Sequence, residues 1–239
     1  MGYGYNQPPF KRGHTLFDKP TSDTSLSTSD GANIEGQVWE FPDVNPHTGA
    51  VRSNRRVKCM AVRWTGDSNN SGGGGAQPAL PRQLVVLDAH KTTSLQGATD
   101  VGGMLGLCRA SLQARVGWST TVLPSKCVVV DEYLPSAGVA ENDIFWAVIE
   151  GPTEVETPDA QFTAFGVGDG LVSLTQTTAA ATNGTTVAGR AAVVDVATTV
   201  ASTVTLVGAL NRVFGMALTN CTSQGYRQAI LCDVGPLRY

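Results

Sequence analysis

The sequence predicts an all-β fold: one barrel- or sandwich-like domain preceded by an extended N-terminal arm. Composition is the first reason. Glycine occurs 27 times in 239 residues and charged residues make up only 15%, against about 25% in ordinary soluble domains. Ala, Thr, Ser and Val fill much of the rest, a turn-rich β composition rather than a stock of helix formers. The second reason is rhythm: short β-branched and aromatic runs recur at roughly 8–12-residue spacing, separated by turn residues. The third is the stretch 141–155. Six consecutive apolar residues, Ile144 to Ile149, are followed by Gly151-Pro152, after which Thr153-Glu154-Val155 resumes an extended pattern. So short an apolar run closed by Gly-Pro reads as a buried strand. Proline cannot donate to a ladder, so the pairing is expected to change at Pro152, as in a strand that turns a corner.

Residues 1–33 form the arm. Tyr3, Tyr5 and Phe10 lie among Gly, Pro and Asn, and a Ser/Thr/Asp stretch with almost no apolar content follows. Such a stretch buries too little surface to fold alone. Three rings within ten residues are anchors suited to a pocket on another chain, so the arm is expected to be ordered only against partners.

Residues 34–81 form a strand-and-loop segment. In 34–41, Trp39 and Phe41 share one face and Val38 and Glu40 the other. Residues 42–49 hold two prolines, Asn, Asp and Gly, a turn cluster. In 55–64, Val57, Cys59, Ala61 and Arg63 alternate with Lys58, Met60, Val62 and Trp64, a strand whose Arg-rich face suits an edge or interface. Arg52, Arg55, Arg56, Lys58 and Arg63 are the local basic cluster. The four glycines 72–75 lack a following Gly-Lys-Ser/Thr, so they read as a surface loop, not a phosphate cradle.

Residues 82–239 form the main β domain. Strong strands are expected over 83–88 and 126–133, and weaker ones over 104–110 and 113–118. Gly166, Gly168 and Gly170 do not fit a dinucleotide fingerprint; a hairpin turn near Asp169-Gly170 is expected instead, with a strand from Leu171. Further strands are expected over 190–196 and 203–207, and a last hairpin over 212–218 and 226–233.

The apolar-Trp-apolar-Val-x-x-Gly-Pro strand around Trp146 resembles the middle strand of the small β-domains of tailed-phage capsid decoration (cement) proteins. The pair of segments from Asn211 to Leu218 and from Tyr226 to Cys232 is similar to the end of the same domains. The resemblance covers residues 82–234. It implies a structural virion protein, without cofactor, that binds the outer surface of an icosahedral capsid as a homotrimer and holds major capsid protein subunits together. Partner-binding residues expected on this reading are Tyr3, Tyr5, Phe10, Trp39, Arg55 and Arg56. The alternative from the residues alone is a carbohydrate-binding β-sandwich or fibre component, which needs exposed Trp or Tyr rings on one face.

No catalytic, cofactor or metal site is expected. His14, His47 and His90 have no ligand at i+2 or i+4. Cys59, Cys108, Cys127, Cys221 and Cys232 match no metal spacing, and Cys221 and Cys232 flank one expected hairpin. Asp131 and Glu132 are adjacent on an expected strand and should point to opposite faces, so they should not share a site. Glu154 and Glu156 share a face. A net charge of −3 gives no footprint for nucleic acid. No apolar run reaches the roughly 20 residues of a membrane span, and an apolar leader is not evident at the N-terminus, which is consistent with assembly in a cytoplasm.

Overall fold

The computed structural model of the chain describes residues 11–17, 34–64, 78–87, 109–111, 127–140, 143–157, 166–173, 191–193, 213–220 and 229–235. Those residues are all-β, and no helix occurs among them. Eleven strands are formed: β1 (Thr15–Phe17), β2 (Val38–Val44), β3 (Val51–Trp64), β4 (Leu84–Leu87), β5 (Arg109–Ser111), β6 (Cys127–Val130), β7 (Ile144–Glu156), β8 (Gly170–Ser173), β9 (Ala191–Val193), β10 (Val213–Ala217) and β11 (Ala229–Val234). Tyr3, Tyr5, Phe10, the glycine-rich loop and the strand candidates 113–118 and 203–207 lie outside the described residues.

The strands join in one hydrogen-bonded network, in the order β2-β3-β5-β4-β6-β7-β11-β10-β8-β9, with β1 on β7 and a further β3–β7 pairing. Only β3–β5 is parallel among the described pairs. β2 and β3, from the segment that precedes the expected main domain, belong to this same network, because β3 lies against β7 from Lys58↔Glu150 to Arg63↔Ile144.

β7 organises the network. Every residue from Ile144 to Ile149 is buried, as the apolar run predicts. Its side chains alternate between two cores. Ile144, Trp146, Val148 and Val155 join one, with Phe41, Val57, Cys59, Ala61, Leu171, Phe214 and Cys232. Phe145, Ala147 and Ile149 join the other, with Met60, Val62, Trp64, Val85 and Val128. β3 alternates in the same way. A run that is apolar at every position, rather than every second one, is what a strand covered on both faces requires. Each large side chain so placed contributes about 1.5–3 kcal/mol of burial.

The partner on one edge of β7 does change, but before Pro152, which itself pairs Asp233 of β11. β3 pairs it up to Glu150, and β11 pairs it from Gly151↔Val234 to Glu156↔Ala229. The strand itself continues through the switch as thirteen residues. Gly151 makes this possible. Its φ is +101°, and a Cβ there would lie 2.5 Å from the Arg56 carbonyl oxygen. Only glycine lets the β3 backbone approach so closely at a positive φ.

Two local expectations change. Pro42 stays within β2, opposite Arg56, and the turn is Asn45–Ala50, closed by Asn45 N–H to the Ala50 carbonyl at 2.9 Å. The Ala61 N–H bonds the Gln37 carbonyl at 2.8 Å, so odd-numbered β2 residues face β3. Pro42 therefore points its missing N–H away from the ladder, where it costs no bond. The arm is also not held by partners alone: β1 pairs β7 of its own chain, Thr15↔Phe145 and Phe17↔Ile144, and Leu16 is buried in the first core.

Trp146 meets Phe41 edge-on, with ring centroids 5.4 Å apart, and its indole N–H has no hydrogen-bond partner among the described residues. Trp146→Ala is expected to cost about 3–5 kcal/mol in urea unfolding. Trp146→Phe, which removes an unsatisfied donor along with volume, should cost clearly less. Equal losses would show that the ring's volume is not what the site uses.

A buried arginine–carboxylate cluster as candidate functional site

The site begins where β6 ends. After Val130, the Asp131 N–H bonds the Trp146 carbonyl at 3.3 Å and the chain turns, with Leu134 N–H on the Asp131 carbonyl at 3.3 Å. Asp131 is fully buried and Glu132 nearly so. The sequence expectation that they face apart fails here. Period-two alternation holds only inside a strand, and both residues lie past its end.

Four donors converge on Asp131. Arg12 Nε and Nη2 donate to Oδ1 at 3.1 and 2.8 Å, Gly13 N–H donates to Oδ2 at 2.7 Å, and Tyr133 N–H donates to Oδ1 at 3.4 Å. Arg12 Nη2 is also 3.5 Å from Glu132 Oε1. The Arg12 guanidinium lies over the Tyr133 ring, 5.0 Å from its centroid. Gly13 is required: its φ is +82°, and a Cβ would sit 2.8 Å from His47 Nε2. That nitrogen lies 2.9 Å from the Tyr133 carbonyl; a carbonyl only accepts, so Nε2 carries the proton.

Arg52 forms the second half. Its Nε donates to Asp43 at 2.9 and 3.2 Å, and its two terminal nitrogens each donate to Glu132 at 2.9 Å. Nη2 also reaches the Pro152 carbonyl at 3.1 Å. Ser53 Oγ donates to Asp43 at 2.7 Å and Thr153 Oγ1 to Glu132 at 3.5 Å. Two guanidiniums thus face three carboxylates, linking the segment before β1, the β2–β3 hairpin, the turn after β6 and β7 at Pro152. Separately, buried Arg63 donates from Nε to Glu35 at 2.7 Å.

The charge states follow from this packing. Burial alone would lower the Arg12 pKa, but the Asp131 charge outweighs it and the guanidinium is held more firmly protonated than usual. Arg52 is raised in the same way, burial being outweighed by its bonds to Asp43 and Glu132. Burial raises Glu132 above the ordinary carboxylate value, against the pull of Arg52 and Arg12. Burial likewise pushes the Cys59 thiol up to about 12.

Of the residues singled out in the sequence, Trp39 is half-buried against the first core, its Nε1 3.5 Å from Gln37 Oε1. Arg55 is exposed and paired with Asp233 at 2.9 and 2.7 Å. Arg56 is exposed one position along β3, so the two arginines project from opposite faces. Glu154 pairs Arg82 at 2.7 Å. Cys232 is buried and free, and Cys221 lies outside the described residues. Among the described residues no three His, Cys, Asp or Glu side chains are grouped to hold a metal, and no helix is long and apolar enough to cross a membrane. The cluster is built to fix backbone segments to one another. Sequence reasoning missed Arg12, Asp43 and Arg52 as its members; the available signal was a carboxylate pair directly following a buried strand.

Compared with protein-family models, with curated proteins and with solved structures, the chain matches none.

Arg12→Ala would strand Asp131 without its counter-charge, and about 3–5 kcal/mol of unfolding free energy should be lost. Arg12→Lys should recover only part, since one ammonium cannot reproduce the two-nitrogen contact. A carboxyl raised in the folded state contributes stability that is present below its unfolded pKa and lost as pH rises through the folded one. The stability of the native protein relative to Glu132→Gln should therefore fall as pH rises above the ordinary glutamate value of about 4.3; a flat or rising difference contradicts this. Cys59 and Cys232 should resist thiol-specific reagents at mildly alkaline pH until the chain unfolds, as mapped by peptide mass.

Proposed function

We propose that this chain is a structural virion protein that binds the outer surface of an icosahedral phage capsid and stabilises contacts between major capsid protein subunits. It acts as a homotrimer, without cofactor or catalysis, and is assembled in the host cytoplasm. The observation that carries the reading is the Arg12 anchor. It fixes the chain to a rigid body two residues after Phe10, so the segment bearing Tyr3, Tyr5 and Phe10 starts from a defined point on that body. A rigid β-body with ring-bearing chain issuing from it is what clamping adjacent subunits requires. Binding the assembled shell but not loose subunits would stabilise the shell by mass action.

Exposed Arg55 and Arg56 on β3, with Trp39 half-buried nearby on β2, offer contacts to an acidic or aromatic-binding surface. The carbohydrate reading is less well supported, because Trp64 and Trp146 are buried and cannot stack on a sugar.

Deleting residues 1–10 tests the proposal, since it removes the rings and spares Arg12. Thermal unfolding of the body should be unchanged, while binding to capsid shells stripped of this protein weakens at least tenfold. Undiminished binding would remove the arm from the attachment. Failure of the full-length chain to bind any stripped shell, with sugar binding in its place, would overturn the reading.

A further inference from the structure

We propose that His14 and His47 together bind a divalent transition-metal ion such as zinc, which staples the segment before β1 to the turn between β2 and β3. The inference does not depend on the capsid reading. The two histidines lie far apart in the chain, so no local spacing links them. Their rings nevertheless meet edge-on, with centroids 5.5 Å apart and planes at 74°. That separation suits a shared ion. A ligand nitrogen sits about 2.0–2.1 Å from zinc and its ring centre roughly 1.2 Å farther, so two imidazoles on one ion at tetrahedral to trigonal angles stand about 5.2–5.6 Å apart, centre to centre.

The ring nitrogens are in the state that binding needs. His47 donates from Nε2 to the Tyr133 carbonyl at 2.9 Å, which leaves Nδ1 as a free lone pair. Ligand histidines are ordinarily held in this way, the second nitrogen donating to a carbonyl, a carboxylate or water. Neither Nδ1 of His47 nor either ring nitrogen of His14 has a hydrogen-bond partner among the described residues. Both side chains are exposed, so an ion reaches them. His14 turns toward it about χ2, a torsion with broad freedom.

The backbone holds both positions in place. On one side of His14, Gly13 N–H donates to Asp131 Oδ2 at 2.7 Å; on the other, Thr15 pairs Phe145. Asn45 Oδ1 accepts from the N–H groups of His47 and Thr48 at 2.9 and 3.2 Å. Ligands fixed before binding lose little freedom on binding. The neighbouring cluster does not oppose a cation, because its three carboxylates outnumber its two guanidiniums. Imidazole donors suit zinc, copper or nickel over magnesium or calcium. The remaining coordination positions fall to water, so the ion is held more loosely than in a closed four-ligand site. It takes no part in any reaction. It adds a second fastening to the N-terminal segment beside Arg12, and an ion bound only by the folded chain stabilises that chain.

The test titrates zinc chloride into the full chain, read by calorimetry, by melting temperature and by long-range ¹H–¹⁵N spectra of the histidine rings. Nδ1 of His47 and one nitrogen of His14 should shift together, Nε2 of His47 should keep its proton, and the melting temperature should rise. His14→Gln and His47→Gln should each weaken this binding by about tenfold or more, at least what loss of an outer-shell partner costs. His90→Gln should leave it unchanged, and magnesium chloride should produce none of these effects. Because the His14 side chain makes no hydrogen bond among the described residues, His14→Gln keeps the fold and decides the matter even where His47→Gln loosens the turn. Zinc binding that survives His14→Gln, or ring signals of His14 and His47 that do not move together, overturns the proposal.

Discussion

Asp131 is a carboxylate sealed from solvent, and the arrangement around it follows from that fact. A carboxylate in such a place must find its charge and hydrogen-bond partners within the protein, because none is left to water. Arg12, Gly13 and Tyr133 supply four donors, so the segment before β1 is held by electrostatic necessity rather than by its own apolar content. Buried ion pairs contribute modestly to net stability, since removing two charges from water offsets most of their attraction. They are unforgiving about geometry, however. Here that selectivity fixes which residue of the N-terminal segment docks and in what register β1 meets β7. Glu132 and Arg52 extend the same constraint to the β2–β3 hairpin and to the carbonyl of Pro152.

The cluster sits beside the point where β7 changes partner. β7 is apolar on both faces, separates two cores, and exchanges β3 for β11 at Gly151. The β3 backbone passes close to that glycine at Arg56 and Val57, near where Arg52 and Arg55, from the same end of β3, reach across to Glu132 and Asp233. Close backbone approach at a positive-φ glycine permits the change of partner, and ion pairs then tie the flanking segments together.

The sequence made much of this legible. The uninterrupted apolar run 144–149 marked the doubly covered strand, Gly151-Pro152 marked the change of partner, and the alternation of Trp39 and Phe41 with Val38 and Glu40 gave the correct inner face of β2. The final hairpin is found as β10 and β11. The ion cluster was hidden, because its five charged members come from positions 12, 43, 52, 131 and 132, and no local pattern links them. Asp131 and Glu132 were misread because the extended pattern runs past the true strand end at Val130. Pro42 looked like a turn residue because hydrogen-bond direction along β2 depends on its partner strand. Residues 11–17 looked like free arm because their anchor lies more than a hundred residues away in sequence.

The proposed role in bridging shell subunits rests on a body that holds its own N-terminal segment at one defined point. The most direct test is a double-mutant cycle between Arg12 and Asp131, each replaced by alanine singly and together, read by urea unfolding. Residues joined in one buried network couple by about 0.5–3 kcal/mol. A coupling energy near the top of that range is what the four-donor geometry predicts. Additive losses, with coupling near zero, would contradict the account and leave the N-terminal segment without its anchor.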